Sequence, residues 1–243
     1  MYLLILIPEI VTLWLLSRWV VQSIFTFLML LFPSRAVAVS VVSAILFPGT
    51  IIHELSHVFT AGVLGVRSGS IELVPENIKK EEVKTGSVLI EKTDPIRRSF
   101  IGLAPLFSGF VAVTAISWFL SASISEVLAI SKSSSILGHP SLYIALGCLY
   151  LGFAVSNTMF PSRIDLKGTP LVIGLILILI ILTYIVGFRV ALTGGALVIT
   201  QKVIDALVYS LTLVVAINLV VLLIMKFNIW LMTRFLGIRL IKK

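Results

Sequence analysis

The chain has 243 residues, 58% of them hydrophobic and only 12% charged, with a mean hydropathy of +1.13. A soluble domain sits nearer half apolar and a quarter charged, so this composition excludes an ordinary soluble fold and indicates an integral membrane protein. The formal net charge of +8 does not point to nucleic acid, because the basic residues lie between apolar runs, as in loops facing anionic lipid.

Taken in chain order, apolar stretches of roughly 20 residues predict about six transmembrane helices. They lie within Tyr2–Phe32 and Ala36–Leu64, about Ser99–Leu120, Ser141–Phe160 and Thr169–Phe188, and within Ala206–Leu231. The first run carries Glu9 and Arg18 and lacks a basic leader, so it reads as a retained span. Pro48 is expected to kink the second. The connection Gly65–Arg98 differs in character: Ile71 alternates with Leu73, and Val88 with Ile90. Gly69 and Gly86 punctuate these runs, and the charged link Lys79–Glu82 separates them. That pattern predicts a small antiparallel β element between the second and third helices. The fold class is an all-α polytopic membrane protein with this β element, a single domain over 1–243. Cys148 is the only cysteine, which excludes internal disulfides and cysteine-based zinc sites.

The lysines and arginines set an orientation. With the N-terminus in the cytoplasm, the second connection, the fourth connection and the tail bring most of the cations to that side. The opposite side receives Arg35, Lys132, Arg189 and Lys202. Both termini and the β element are therefore expected to be cytoplasmic, and the absence of a targeting signal suggests a prokaryotic plasma membrane.

Near the cytoplasmic end of the second span stands His53-Glu54-Leu55-Ser56-His57, an H-E-x-x-H sequence. Residues four apart share a helical face, so both imidazoles can reach one metal ion. Glu54 adjoins them, placed to take a proton from a water at the metal. His57 lies about 10 Å from Leu64 at 1.5 Å per residue, shallow enough for water to enter. Ionisable side chains inside a span are costly and read as functional. A hydrolytic zinc site needs a third protein ligand. Glu9, Asp94 and Asp165 are candidates; His139 and Glu126 lie on the predicted opposite side.

The ordered set of HELSH, the glycine-bearing stretch KTGSVLIEKTDPIRRSFIGLAPLFSG, and Asn157 followed eight residues later by Asp165 resembles the site-2 protease family of intramembrane zinc metalloproteases. The resemblance covers about residues 45–170, with a catalytic core of about 36–170. It implies that His53, His57 and Asp165 bind one Zn2+ per chain, that Glu54 is the general base, and that Asn157 helps hold an extended substrate. It also implies that the β element at 65–98 pairs with a substrate strand. The implied partners are single-span transmembrane proteins or peptides within membrane lipid, with no nucleic acid. Here the aspartate is followed by Leu166-Lys167-Gly168, where the family usually has glycine directly after it. Two other readings use the same residues: a membrane metal-binding or transport protein, and a catalytically silent scaffold. The nearly unbroken apolar fifth span argues against a transport pathway.

Overall fold

The computed structural model describes residues 3–32, 34–72, 87–130, 139–187 and 193–235. Its elements are α1 (Leu3–Leu31), α2 (Arg35–Val63), β1 (Ser68–Glu72), β2 (Ser87–Ile90), α3 (Pro95–Ile130), α4 (Pro140–Thr158), α5 (Thr169–Ile185) and α6 (Gly194–Phe235). The architecture is the expected apolar helical bundle with one small sheet. Leu73, Gly86 and the charged link Lys79–Glu82 fall outside the described residues. α3 runs ten residues past its predicted end, and α6 begins twelve residues before its predicted start. α2 continues through Pro48 as one helix.

In lipid, burial of apolar surface does not drive helices together, so close packing and hydrogen bonds must do so. Gly49 lets α2 approach α4 until a methyl group there would strike Thr158 Oγ1 and the Ala154 carbonyl. Gly109 does the same for α3 against Met159. α3 starts at a capping aspartate. Asp94 Oδ1 accepts from the Ile96 and Arg97 N–H groups at 3.1 and 3.0 Å. The Arg97 N–H holds the Asp94 carboxyl below its usual range, more than offsetting desolvation.

α2 ends in a Schellman turn. Gly65 adopts φ 68°, its N–H bonds the Gly62 carbonyl at 3.1 Å, and the Val66 N–H bonds the Ala61 carbonyl at 2.8 Å. Only glycine takes that conformation without strain, so the turn is written into Leu64-Gly65-Val66. It reverses the chain into β1, which pairs antiparallel with β2 in the register Ile71 to Val88 and Glu72 to Ser87. Ala61, Val66 and Ile101 pack together under the hairpin, with Leu64 and Ile90 against them, and fix it at the junction of α2 and α3.

Among the described residues, five helices are long and apolar enough to cross a membrane. α5, at 17 residues, is about 26 Å long, short of the ~30 Å hydrocarbon core. The direction of α6 bears on the orientation expected from sequence. Glu9 of α1 accepts a hydrogen bond from Thr212, Leu13 packs with Leu211 and Val214, and Trp19 to Thr26 face Lys226 and Ile229. α1 and α6 therefore run parallel. Six alternating crossings would make the first and last helices antiparallel, with both termini on one side. The parallel pair fits an odd number of crossings, with α5 not counted, and puts the start of α1 and the end of α6 at opposite ends of the bundle.

Cysteines introduced at Arg97 and Arg234 in a Cys148→Ala background should be labelled by an impermeant maleimide from opposite sides of the membrane. Labelling of both from the same side would restore the six-crossing arrangement.

Candidate metal centre

The buried face of α2 carries Leu46, Thr50, Glu54, His57 and Ala61, spaced by three or four residues, with His53 at its edge. His53 and His57 thus project from one face into the space between α2, α3 and the end of α4. Their Nε2 atoms lie 3.2 Å apart. Asp165, in the turn between α4 and α5, brings Oδ2 to 3.8 Å from His53 Nε2 and Oδ1 to 3.6 Å from His57 Nε2.

Each imidazole is oriented by a backbone carbonyl. His53 Nδ1 donates to the Thr158 carbonyl at 2.6 Å and His57 Nδ1 to the Ile101 carbonyl at 2.8 Å. A carbonyl only accepts, so the proton of each neutral ring sits on Nδ1 and each Nε2 presents a lone pair. Two lone pairs facing each other at 3.2 Å repel unless a cation or proton lies between them.

Both carbonyls have lost their helical donors, by different routes. In a helix the Ile101 carbonyl would accept from residue 105, but that residue is Pro105 and has no N–H. The Thr158 carbonyl stands at the last residue of α4, just before Pro161. Its helical partner would be the Ser162 N–H, which bonds Asp165 Oδ2 at 2.7 Å instead. One proline supplies the acceptor for His57, and the proline-broken end of α4 supplies the acceptor for His53.

The aspartate is positioned as closely. Ser162 and Asp165 form a reciprocal capping pair: the Ser162 N–H meets the carboxylate, and the Asp165 N–H meets Ser162 Oγ at 3.4 Å. Gly102 on α3 provides the seat, since any side chain there would collide with the Asp165 carbonyl. Gly168 closes the turn with φ 93° and leads into α5. Burial alone would push the Asp165 carboxyl up. The Ser162 donors, and His53 and His57 whenever those rings are protonated, outweigh it and hold the group at about 2, so it is anionic at neutral pH.

The donor set fits a zinc ion. Zinc bonds of about 2.0–2.1 Å in tetrahedral geometry place neighbouring ligand atoms about 3.3 Å apart. The two Nε2 atoms are 3.2 Å apart, Asp165 approaches them at 3.6 and 3.8 Å through its two different oxygens, and with one ligand atom per residue the set lies within 4.8 Å, so a small inward shift of the carboxylate would complete the geometry. Among the described residues, the other candidate ligands are engaged elsewhere. Glu9 meets Thr212, Asp94 caps α3, His139 accepts from the Ser141 N–H at 3.4 Å, and Glu126 accepts the Ser141 hydroxyl. Glu54 is 6% exposed on the same face as His57.

Asn157 lies one residue before Thr158, at the seam with α6. Its Nδ2 donates to the Phe153 carbonyl at 2.8 Å and to Asn218 Oδ1 at 2.7 Å, while its Oδ1 is buried with no partner. Asn218 went unremarked in the sequence. It is fully buried and donates to Ser156 Oγ at 2.9 Å and to the Val214 carbonyl at 2.8 Å. The signal was available: an asparagine in Val215-Ala216-Ile217-Asn218-Leu219-Val220 is a polar group inside a span. No protein-family model, curated protein or solved structure matches the chain.

Asp165→Ala should reduce zinc per chain from near one to well under half, read by elemental analysis of purified protein; full occupancy would remove Asp165 from the ligand set. Pro105→Ala restores an N–H that competes for the Ile101 carbonyl. It should weaken zinc affinity about 10–100-fold while leaving the melting temperature unchanged or raised. Unchanged zinc affinity would refute the role given to that carbonyl.

Proposed function

We propose that the protein is an intramembrane zinc metalloprotease, similar to site-2 proteases, that hydrolyses peptide bonds of single-span transmembrane substrates. The observation that supports this reading is the convergence of His53, His57 and Asp165. Each Nε2 faces inward and each Nδ1 is committed to a carbonyl, with Glu54 buried beside them on the same helical face. A structural role for two histidines would favour pairing with donors on neighbouring helices, not two lone pairs directed at each other.

Zinc held by two imidazoles and a carboxylate supplies Lewis acidity and lowers the pKa of water. The chain's own residues do the rest. His53 and His57 keep their tautomers because the carbonyls of Thr158 and Ile101 hold the Nδ1 protons. Asp165 contributes the one negative ligand charge. Glu54 takes the proton of the attacking water and returns it to the departing amine. Asn157, which the resemblance assigns to the substrate, faces α6, where its Nδ2 bonds Asn218. Among the described residues the hairpin at the α2–α3 junction is two-stranded, and an unwound substrate strand can pair at its edge. The Lys/Arg-rich end of the bundle, which carries the centre, is assigned to the cytoplasm by the positive-inside rule.

Glu54→Gln should leave zinc content and melting temperature within error of the parent and abolish cleavage of a co-expressed single-span reporter. Cleavage at the parental rate would exclude Glu54 as the base and with it the proposed chemistry.

A further inference from the structure

We propose that a groove between α1 and α6, far from the metal centre, binds a phosphate-type oxyanion, presented in the membrane by the headgroup of an anionic phospholipid. The proposal does not depend on the protease reading. The groove has a volume of about 420 Å³ and is lined by Trp19, Gln22, Ser23 and Thr26 of α1 and Lys226 and Ile229 of α6.

Its placement follows from the parallel packing of the two helices. Thr26 is five residues, about 8 Å, from the end of α1 at Leu31, and Lys226 is nine residues, about 14 Å, from the end of α6 at Phe235. Those ends lie at the side of the bundle where α1 turns into α2. The metal centre sits toward the other end of α2. The groove therefore opens in the opposite leaflet, within reach of its headgroups for a lysine that extends along its stem.

Its chemistry is donor-rich. Lys226 brings an ammonium, Gln22 an amide NH2, Trp19 an indole N–H, and Ser23 and Thr26 hydroxyls. No carboxylate lines it, and Lys226 forms no ion pair among the described residues. The other carboxylates of these two helices are remote: Glu9 is about 20 Å along α1 from Gln22, and Asp205 about 32 Å along α6 from Lys226. An ammonium set within an apolar helix is costly unless an anion meets it. Among the described residues the protein supplies none here, so the counter-charge is assigned to a ligand from outside. A tetrahedral oxyanion, with several acceptor oxygens and a charge, satisfies this set better than a neutral headgroup. Trp19, 52% exposed, is suited to the headgroup boundary, where tryptophan is enriched.

The test uses the full chain in neutral detergent, delipidated and examined by native mass spectrometry. Phosphatidylglycerol and phosphatidylcholine of matched acyl chains are added separately, and inorganic phosphate is added as a competitor. The parent should retain phosphatidylglycerol at collision energies that strip phosphatidylcholine. Lys226→Gln should lower that retention about fivefold, the loss of one basic contact near a lipid surface. Lys226→Arg should preserve it, and Lys202→Gln, on the same helix outside the groove, should not change it. Displacement by millimolar inorganic phosphate would support the oxyanion site with free phosphate as its source, and resistance would support the lipid. Equal retention of the two lipids by the parent, or equal phosphatidylglycerol retention by the parent and Lys226→Gln, overturns the proposal. Melting curves of each variant show whether a loss reflects unfolding; if Lys226→Gln unfolds, retention unaltered in Ser23→Ala and Gln22→Leu together overturns it instead.

Discussion

The candidate metal centre depends on two backbone carbonyls that have lost their helical donors. A lone H-E-x-x-H helix would leave both imidazoles free to rotate, and each ring could expose either nitrogen. The Ile101 carbonyl, released by Pro105, and the Thr158 carbonyl, released where α4 ends before Pro161, remove that freedom. In lipid an unpaired carbonyl is costly, so the rings and the carbonyls stabilise one another. The arrangement of α3 and α4 around α2 is thereby tied to the tautomers of two histidines. Packing and chemistry become the same constraint.

Small residues make that arrangement physically possible. Gly49 brings α2 onto the end of α4, which is what carries the Thr158 carbonyl to His53. Gly102 brings the Asp165 turn onto α3, one residue from the carbonyl that holds His57. Gly102 and Pro105 thus act at the same turn of α3 for different reasons, one steric and one through a missing donor. On the far side of α4, Asn157, Ser156 and Asn218 form a polar seam to α6. Interhelical bonds of this kind contribute about 0.6–1.7 kcal/mol each in lipid, enough to fix a register without locking the helices together.

Much of this was legible in the sequence. Long apolar runs gave the helices, because a helix in lipid must satisfy its own backbone. Alternation at Val88 and Ile90, with Gly69 and Gly86 punctuating the two runs, indicated the hairpin. The histidine spacing put two imidazoles on one face, and Asp165, to which the resemblance pointed, lies beside both. What a one-dimensional reading missed has physical causes. Charge bias reports which loops face the cytoplasm only if every apolar helix crosses, and α5 is short. With α5 counted as a crossing, α6 is expected antiparallel to α1, whereas the two pack parallel. Asn218 stands out as a polar group within an apolar stretch of α6, but its partners appear only when α4 is packed against it.

The departure at Asp165 has a structural resolution. A glycine directly after the aspartate would let the chain turn away at once. Here the residues after it form a wider turn: the Leu166 N–H bonds the Ser162 carbonyl at 3.1 Å and the Thr169 N–H bonds the Leu166 carbonyl at 3.2 Å. The left-handed residue this turn needs falls at Gly168, three positions on. The carboxylate does not depend on that glycine for its direction. It is aimed by Ser162, three residues before it, whose N–H would otherwise have closed the last helical bond to Thr158. That one N–H therefore couples two ligands: by leaving the Thr158 carbonyl it orients His53, and by binding Oδ2 it orients Asp165. A chain can relocate its turn glycine and keep the site, provided the residue three before the aspartate keeps a free N–H directed at the carboxylate.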